Sequence, residues 1–231
     1  MKDIKGIIFD FNGTLYWDSA LHKKAWRQYS AVLRGEMFTD DEMIHNMFGR
    51  TNEEIIRYAI GKQPTPEMVE KLGQEKEALY RKMAVEDSEN FHLAKGAVEF
   101  LDYLKENEIP RTIATMSDKI NVDFFFESFD LEKWFDYDKV VYADGIIPSK
   151  PAPDIYQIAA KNLNLTPQDC IVVEDAPSGI ESARAAGIGK IIAICSEESP
   201  ELYKKIPCVT GIIKDFDDFD RTLFECKISA K

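Results

Sequence analysis

Asp10-Phe11-Asn12-Gly13-Thr14 directly follows Ile4-Lys5-Gly6-Ile7-Ile8-Phe9, a short apolar run rich in isoleucine. The run is too brief for a helix and reads as a buried parallel strand. Asp10 then stands at the strand's carboxyl end, where open α/β sheets place their chemistry. Gly13 breaks the strand and permits a tight turn. An aspartate in that position can attack phosphorus, bind a metal or cap a turn. For an isolated pentapeptide, capping is the ordinary reading, so the rest of the chain has to decide.

After this strand, residues 16 to about 88 carry helical patterns and no strand signal. Leu21, Ala25, Trp26, Tyr29, Val32 and Leu33 share one face of a first helix. Thr39 with Glu42, and Thr51 with Glu54, each fit a capping box and predict two further helix starts. Thr65-Pro66 reads as N-cap followed by first helical residue. It opens a long helix through Met68, Val69, Leu72, Leu79, Tyr80 and Met83. From about residue 94 strands and helices alternate. The strands expected are 111–115, 140–142, 171–173, 191–194 and 211–213, with helices between them. Such alternation means a parallel sheet covered on both faces. The expected organisation is a Rossmann-like α/β core, residues 1–15 and 89–231, with an inserted all-helical cap domain at 16–88.

Composition bounds the function. The chain has 231 residues, of which 45% are hydrophobic, enough for one large core carrying an inserted module. No apolar run approaches the ~18 residues of a membrane span. Met1-Lys2-Asp3 runs directly into a strand, which gives no signal-peptide pattern. Cys170, Cys195, Cys208 and Cys226 lack metal-type spacing, and the first two lie in apolar runs, as buried reduced thiols do. The expectation is a cytoplasmic monomer. A formal net charge of −12 argues against a nucleic-acid partner, which demands a basic face. It also repels small anions, so a phosphorylated ligand would need a local nest of amides, lysine and metal.

Four strand ends carry polar residues able to act together. The first is Asp10. The second is Thr115-Met116-Ser117, whose hydroxyls and amides precede a predicted helix and form an anion site there, or else an ordinary N-cap. The third is Lys150 in Ser149-Lys150-Pro151-Ala152-Pro153-Asp154, a stiff loop that fixes where the lysine points, unless it is merely a solvated surface residue. The fourth is Glu174-Asp175-Ala176-Pro177-Ser178-Gly179. Paired acids there suit a hard cation such as Mg²⁺, or simply the start of a helix.

The ordered set, DxxGT, a Thr/Ser strand end, KPAPD, and ED before a glycine-bearing helix, resembles the haloacid dehalogenase superfamily over nearly the whole chain. Each motif is weak alone, and the four in order are specific. The resemblance is closest to the subgroup containing β-phosphoglucomutase and small sugar-phosphate phosphatases, whose members carry a helical cap after the first motif. It implies a small phosphorylated metabolite as substrate and an active site between cap and core. The family's sheet order puts the first strand between those bearing Thr115 and Glu174-Asp175. By motif, Asp10 resembles the nucleophile that forms an aspartyl-phosphate. Mg²⁺ is implied at Asp10, the Asn12 carbonyl and Asp175, with Glu174 nearby. Thr115, Met116, Ser117 and Lys150 are implied as the cradle of the transferring phosphoryl group.

Two departures from the family pattern matter. The phosphatases usually place a second Asp where this chain has Asn12, and that acid protonates the leaving oxygen. The mutases use Lys and Arg in the cap loop, where Phe48 and Asn52 stand here, with Arg50 as a displaced cation. A mutase is therefore disfavoured, and His22, Arg50 and Asn52 are taken as cap residues that contact substrate. A dehalogenase lacks the Glu174-Asp175 pair. A phosphonoacetaldehyde hydrolase needs a cap lysine for a Schiff base, for which Lys62 and Lys71 are the candidates. The main alternative is a non-catalytic phosphometabolite-binding protein that kept the cradle and lost turnover.

Overall fold

The computed structural model describes residues 4–47, 50–195 and 200–224. The chain falls into two compact units, Met1–Trp17 with His92–Lys231, and Asp18–Phe91.

The first unit is built on six parallel strands: β1 (Gly6–Phe9), β2 (Arg111–Asp118), β3 (Val141–Ala143), β4 (Cys170–Glu174), β5 (Lys190–Ile194) and β6 (Gly211–Ile213). Their order is β3-β2-β1-β4-β5-β6. Every residue of β1 and β4 is buried, because helices cover both faces; apolar runs without alternation are the sequence form of that burial. Phe9 pairs with Ile113 on one side and Val173 on the other. Asp10 therefore leaves the sheet between β2 and β4, and its amide donates to the Val173 carbonyl at 3.0 Å. Around the sheet run α5 (Ala97–Glu106), α6 (Lys119–Phe129), α7 (Asp154–Asn162), α8 (Pro177–Ala186) and the short α9 (Pro200–Lys204). Phe9 is wedged edge-on against Phe100 and Phe135, with Phe216 tilted beside it, which anchors β1 in the core.

The second unit holds α1 (Ser19–Arg34), α2 (Asp40–Asn46), α3 (Asn52–Ile60) and α4 (Pro66–Glu86), and no strand among its described residues. Both capping boxes form: Thr39 and Thr51 accept from the amides of Glu42 and Glu54, whose carboxylates reach back. Thr65 caps α4 and Pro66 opens it. The core gathers Trp26, Tyr29, Phe38, Met43, Met47, Ile55 and Ile56. Leu21, Ala25, Trp26 and Tyr29 are buried on the expected face of α1, with Leu33 packed beside them; Val32 departs from it, at 69% exposed.

Among the described residues no helix is long and apolar enough to cross a membrane. Cys170 and Cys195 are buried free thiols, and burial pushes Cys170 up to about 12, so it stays protonated. Phe48 and Cys226 lie outside the described residues.

Candidate functional site

β1 ends at Phe9, and the next five residues make a tight turn. Gly13 has φ +81°, a conformation that favours glycine, and its amide donates to the Tyr16 carbonyl at 2.7 Å. A Cβ at Gly13 would overlap the Asp175 carboxylate, so the turn brings backbone against that acid. Thr14 completes the contact: its hydroxyl donates to Asp175 Oδ1 at 3.1 Å. The Asp175 carbonyl accepts from the Tyr203 hydroxyl at 2.7 Å, which holds the acid from the other side.

Lys150 is buried in the middle of the acids. Its Nζ lies 2.6 Å from Asp10 Oδ1 and 2.7 Å from Glu174 Oε1, and donates to the Ala114 carbonyl at 3.3 Å. Burial pulls its pKa down, but the charges of Asp10 and Glu174 outweigh that and hold it well above the ordinary lysine value. Lys150 is thus a fixed cation. Glu174, only 1% exposed, also accepts from the Tyr156 hydroxyl at 3.1 Å and the Ala176 amide at 2.7 Å. Gly179 lets α8 close over Glu174, because a Cβ there would overlap the carboxylate.

Asp10, Glu174 and Asp175 each present a carboxylate oxygen within 4.8 Å of the others. Asp175 is pushed up to about 8 by burial and by the charges of Glu174 and Asp10. One lysine does not neutralise three crowded acids. The donor set, all oxygen, fits Mg²⁺. Glu174 has Lys150, Tyr156 and Ala176 on its two oxygens, and Asp10 and Asp175 complete the acidic cluster.

Asn12 turns its side chain toward β2. Its Oδ1 accepts from the Ser117 hydroxyl at 2.7 Å and the Thr115 hydroxyl at 3.4 Å. Thr115-Met116-Ser117 ends β2 just before α6, as expected, but its amides are not all free. The N-cap of α6 is Asp118, which accepts from the Asn121 amide. The Ser117 amide is turned inward to Thr115 Oγ1 at 3.1 Å. Pairing with β1 ends at Ile113, and the register with β3 shifts between Ala114 and Asp118. Met116 packs its side chain against the core, so only its backbone is left for a ligand.

The structure thus brings Asp10, Asn12, Thr115, Ser117, Lys150, Glu174 and Asp175 together. His22, Arg50 and Asn52 belong to the other unit, where the first two have partners. His22 stacks on Tyr80 at 4.0 Å and lies 3.4 Å from both Asp18 and Lys76. Arg50 is 3.6 Å from Glu54, and Asn52 opens α3. The sequence reading missed Lys76, which is buried, pairs with Glu77 and sits over the Trp26 ring at 5.2 Å. Helical spacing exposes it: Lys76 falls between Leu72 and Tyr80 on one stripe of α4. It also missed Tyr156, six residues after Lys150, and Tyr203.

A family model described as "Haloacid dehalogenase-like hydrolase" matches residues 7–193. The chain is 28% identical over 194 residues to "Phosphorylated carbohydrates phosphatase" of Thermotoga maritima, covering 83% of this chain and 85% of that one. It is 29% identical over 188 residues to "Fructose-1-phosphate phosphatase YqaB" of Escherichia coli, covering 80% and 94%. Among solved structures, a HAD hydrolase of family IA, variant 3, from Entamoeba histolytica superposes with TM-score 0.90 at 37% identity, covering 98% of this chain and all of that one (100%).

Proposed function

The chain belongs to the haloacid dehalogenase-like hydrolases, and from that premise we propose that it is a Mg²⁺-dependent phosphatase acting on a small phosphorylated carbohydrate through an aspartyl-phosphate. The observation that carries the reading is Asp10 at the end of β1, 2.6 Å from Lys150 and clustered with Asp175. An Asp10 oxygen attacks phosphorus, the ester P–O bond breaks, and the alcohol leaves. Water then opens the acyl phosphate and releases phosphate. Lys150 binds a phosphoryl oxygen and keeps Asp10 ionised. Thr115 and Ser117 bracket the phosphoryl group from β2. Asp10, Asp175 and the Asn12 carbonyl would hold Mg²⁺, which supplies charge neutralisation between carboxylate and phosphate. Asn12 has no proton for the departing alkoxide, so hydrolysis of alkyl esters is slow and reactive leaving groups are preferred.

Substrate choice we assign to the Asp18–Phe91 unit, through His22, Arg50 and Asn52, with the guanidinium of Arg50 suited to a second phosphate or a carboxylate. The test of the whole reading is a screen of sugar phosphates with Mg²⁺, coupled to intact-mass detection of a phosphoenzyme after acetyl phosphate. Phosphate release together with a covalent adduct that Asp10→Asn abolishes supports it. If Arg50→Ala leaves every substrate's rate within a few-fold, the assignment of Arg50 fails.

Asn12 also favours a second reading, a protein that binds a phosphometabolite without turning it over. Tight binding of a sugar phosphate with neither adduct nor release would establish that reading instead.

A further inference from the structure

Tyr156 stands in the first turn of α7 and is completely buried. The chain between it and Lys150 curls so that Lys150 Nζ lies 4.9 Å from the centre of the Tyr156 ring. The Tyr156 hydroxyl donates to Glu174 Oε1 at 3.1 Å, the same oxygen that takes Lys150 at 2.7 Å. The Ala176 amide holds Glu174 Oε2 at 2.7 Å. Ser182 on α8 fastens the Lys150 loop, donating to the Ala152 carbonyl at 2.6 Å. Tyr156, Lys150 and Glu174 therefore close a triangle in which each residue touches the other two.

An ammonium has three donors. Lys150 spends them on Asp10 at 2.6 Å, on Glu174 at 2.7 Å and on the Ala114 carbonyl at 3.3 Å. To take a phosphoryl oxygen it must loosen one of these bonds. The Ala114 bond is long, and Asp10 gives up its negative charge as it bonds to phosphorus. Glu174 keeps its charge throughout. Unshared, that charge would compete with the phosphoryl group for the lysine. The phenol draws on it, because hydrogen bonds to an ionised acceptor are among the stronger ones. A carboxylate with a donor on each oxygen is also held against swinging. The ring adds a cation–π contact to the buried ammonium.

We propose that Tyr156 is a positioning residue for Lys150. Through Glu174 and through its own ring it makes the ammonium a pivot, which exchanges an existing acceptor for a phosphoryl oxygen without leaving its place. The inference rests on the phosphoryl cradle of the proposed function.

The test is calorimetric titration of the whole protein with inorganic phosphate in the presence of Mg²⁺. Tyr156→Phe keeps the ring and should weaken phosphate roughly three- to tenfold, part of the worth of a hydrogen bond to a charged group. Tyr156→Leu should weaken it further. Ile155→Val, a packing change at a buried residue of the same helix, should lower the melting temperature and leave phosphate affinity unchanged. In a Glu174→Gln background Tyr156→Phe should cost little more, since residues that act through one another do not add. Unchanged phosphate affinity in Tyr156→Phe, or additive losses in the double variant, overturns the inference. If Glu174→Gln does not fold, the Lys150 ammonium resonance decides, assigned by its loss in Lys150→Arg. Tyr156→Phe should move it, and an unmoved resonance overturns the inference. A parent that binds no phosphate overturns the cradle and the inference together. A parent that binds phosphate with the expected dependence on Tyr156, yet hydrolyses no ester, loses the phosphatase reading and keeps the role of Tyr156.

Discussion

The side-chain oxygen of Asn12 accepts a hydrogen bond from Ser117 at 2.7 Å, tying the residue two places after Asp10 to the end of β2. An aspartate in the same place would keep that bond and add an exchangeable proton. Asn12→Asp should therefore raise the rate on an alkyl phosphate by ~10²–10⁴-fold, the usual worth of general acid–base catalysis. On p-nitrophenyl phosphate the gain should be a few-fold, since that leaving group needs little protonation. The two rate ratios are the measurement. Equal ratios would mean that another group, His22 being the candidate, gives the proton.

Lys150 is the one cation seen bridging Asp10 and Glu174 among the described residues. Lys150→Met leaves two buried carboxylates uncompensated, a change of about 3–5 kcal/mol in stability. Urea denaturation in EDTA reads it. Added Mg²⁺ should restore part of the loss. An unchanged midpoint would show that the two acids share a proton instead.

The metal-free protein should carry a pH signature from Asp175. Its folded value, about 8, lies above the ordinary carboxylate value. The folded state then binds the proton more tightly than the unfolded one. Stability from this group is fully present below about pH 4 and is lost as pH rises through the folded value. Asp175→Asn removes the effect, so its melting temperature relative to the parent should climb between about pH 5 and about pH 9 in EDTA. Mg²⁺ should flatten the parent's slope. A constant difference across that range would remove Asp175 as the cause. Separately, Asp175→Ala should sharply weaken Mg²⁺ binding in a calorimetric titration.

Gly179→Ala puts a methyl group where the Glu174 carboxylate lies. The expected cost is about 1–3 kcal/mol, as for other overpacked sites. Activity should fall further than stability, because displaced Glu174 no longer holds Lys150. Parent-like kcat in a folded Gly179→Ala would show that Glu174 does not position Lys150.

Much of this was legible in the chain because the signals were local or ordered. Unbroken apolar runs mark β1 and β4, since strands buried on both faces have no reason to alternate. The capping residues Thr39, Thr51 and Thr65 announce helix starts through chemistry that needs no tertiary context. The acids and Lys150 are recognisable only as a series along successive strand ends. What escaped depends on tertiary packing. Val32 fits a helical face but points to solvent, because no partner covers that edge of the stripe. The second strand was expected to stop at Thr115, and the slip in register with β3 that carries β2 on to Asp118 leaves no mark in hydrophobicity. Lys76 is buried among aromatic rings and next to Glu77, and composition alone reads any lysine as solvated.

The sheet order has a consequence for biosynthesis. β1 is made first, yet Ile7 pairs with Arg111 and Ile171, far later in the chain. While the ribosome works through the Asp18–Phe91 unit, an apolar strand with two unsatisfied edges waits in the nascent chain. Both edges are templates for mispairing. A chain released at residue 91 should therefore aggregate or bind a chaperone, even with its helical unit folded. Replacing Ile7 and Ile8 by polar residues in that fragment should keep it dispersed. The long wait of β1 for β2 and β4 makes the order of synthesis a hazard that the finished sheet no longer displays.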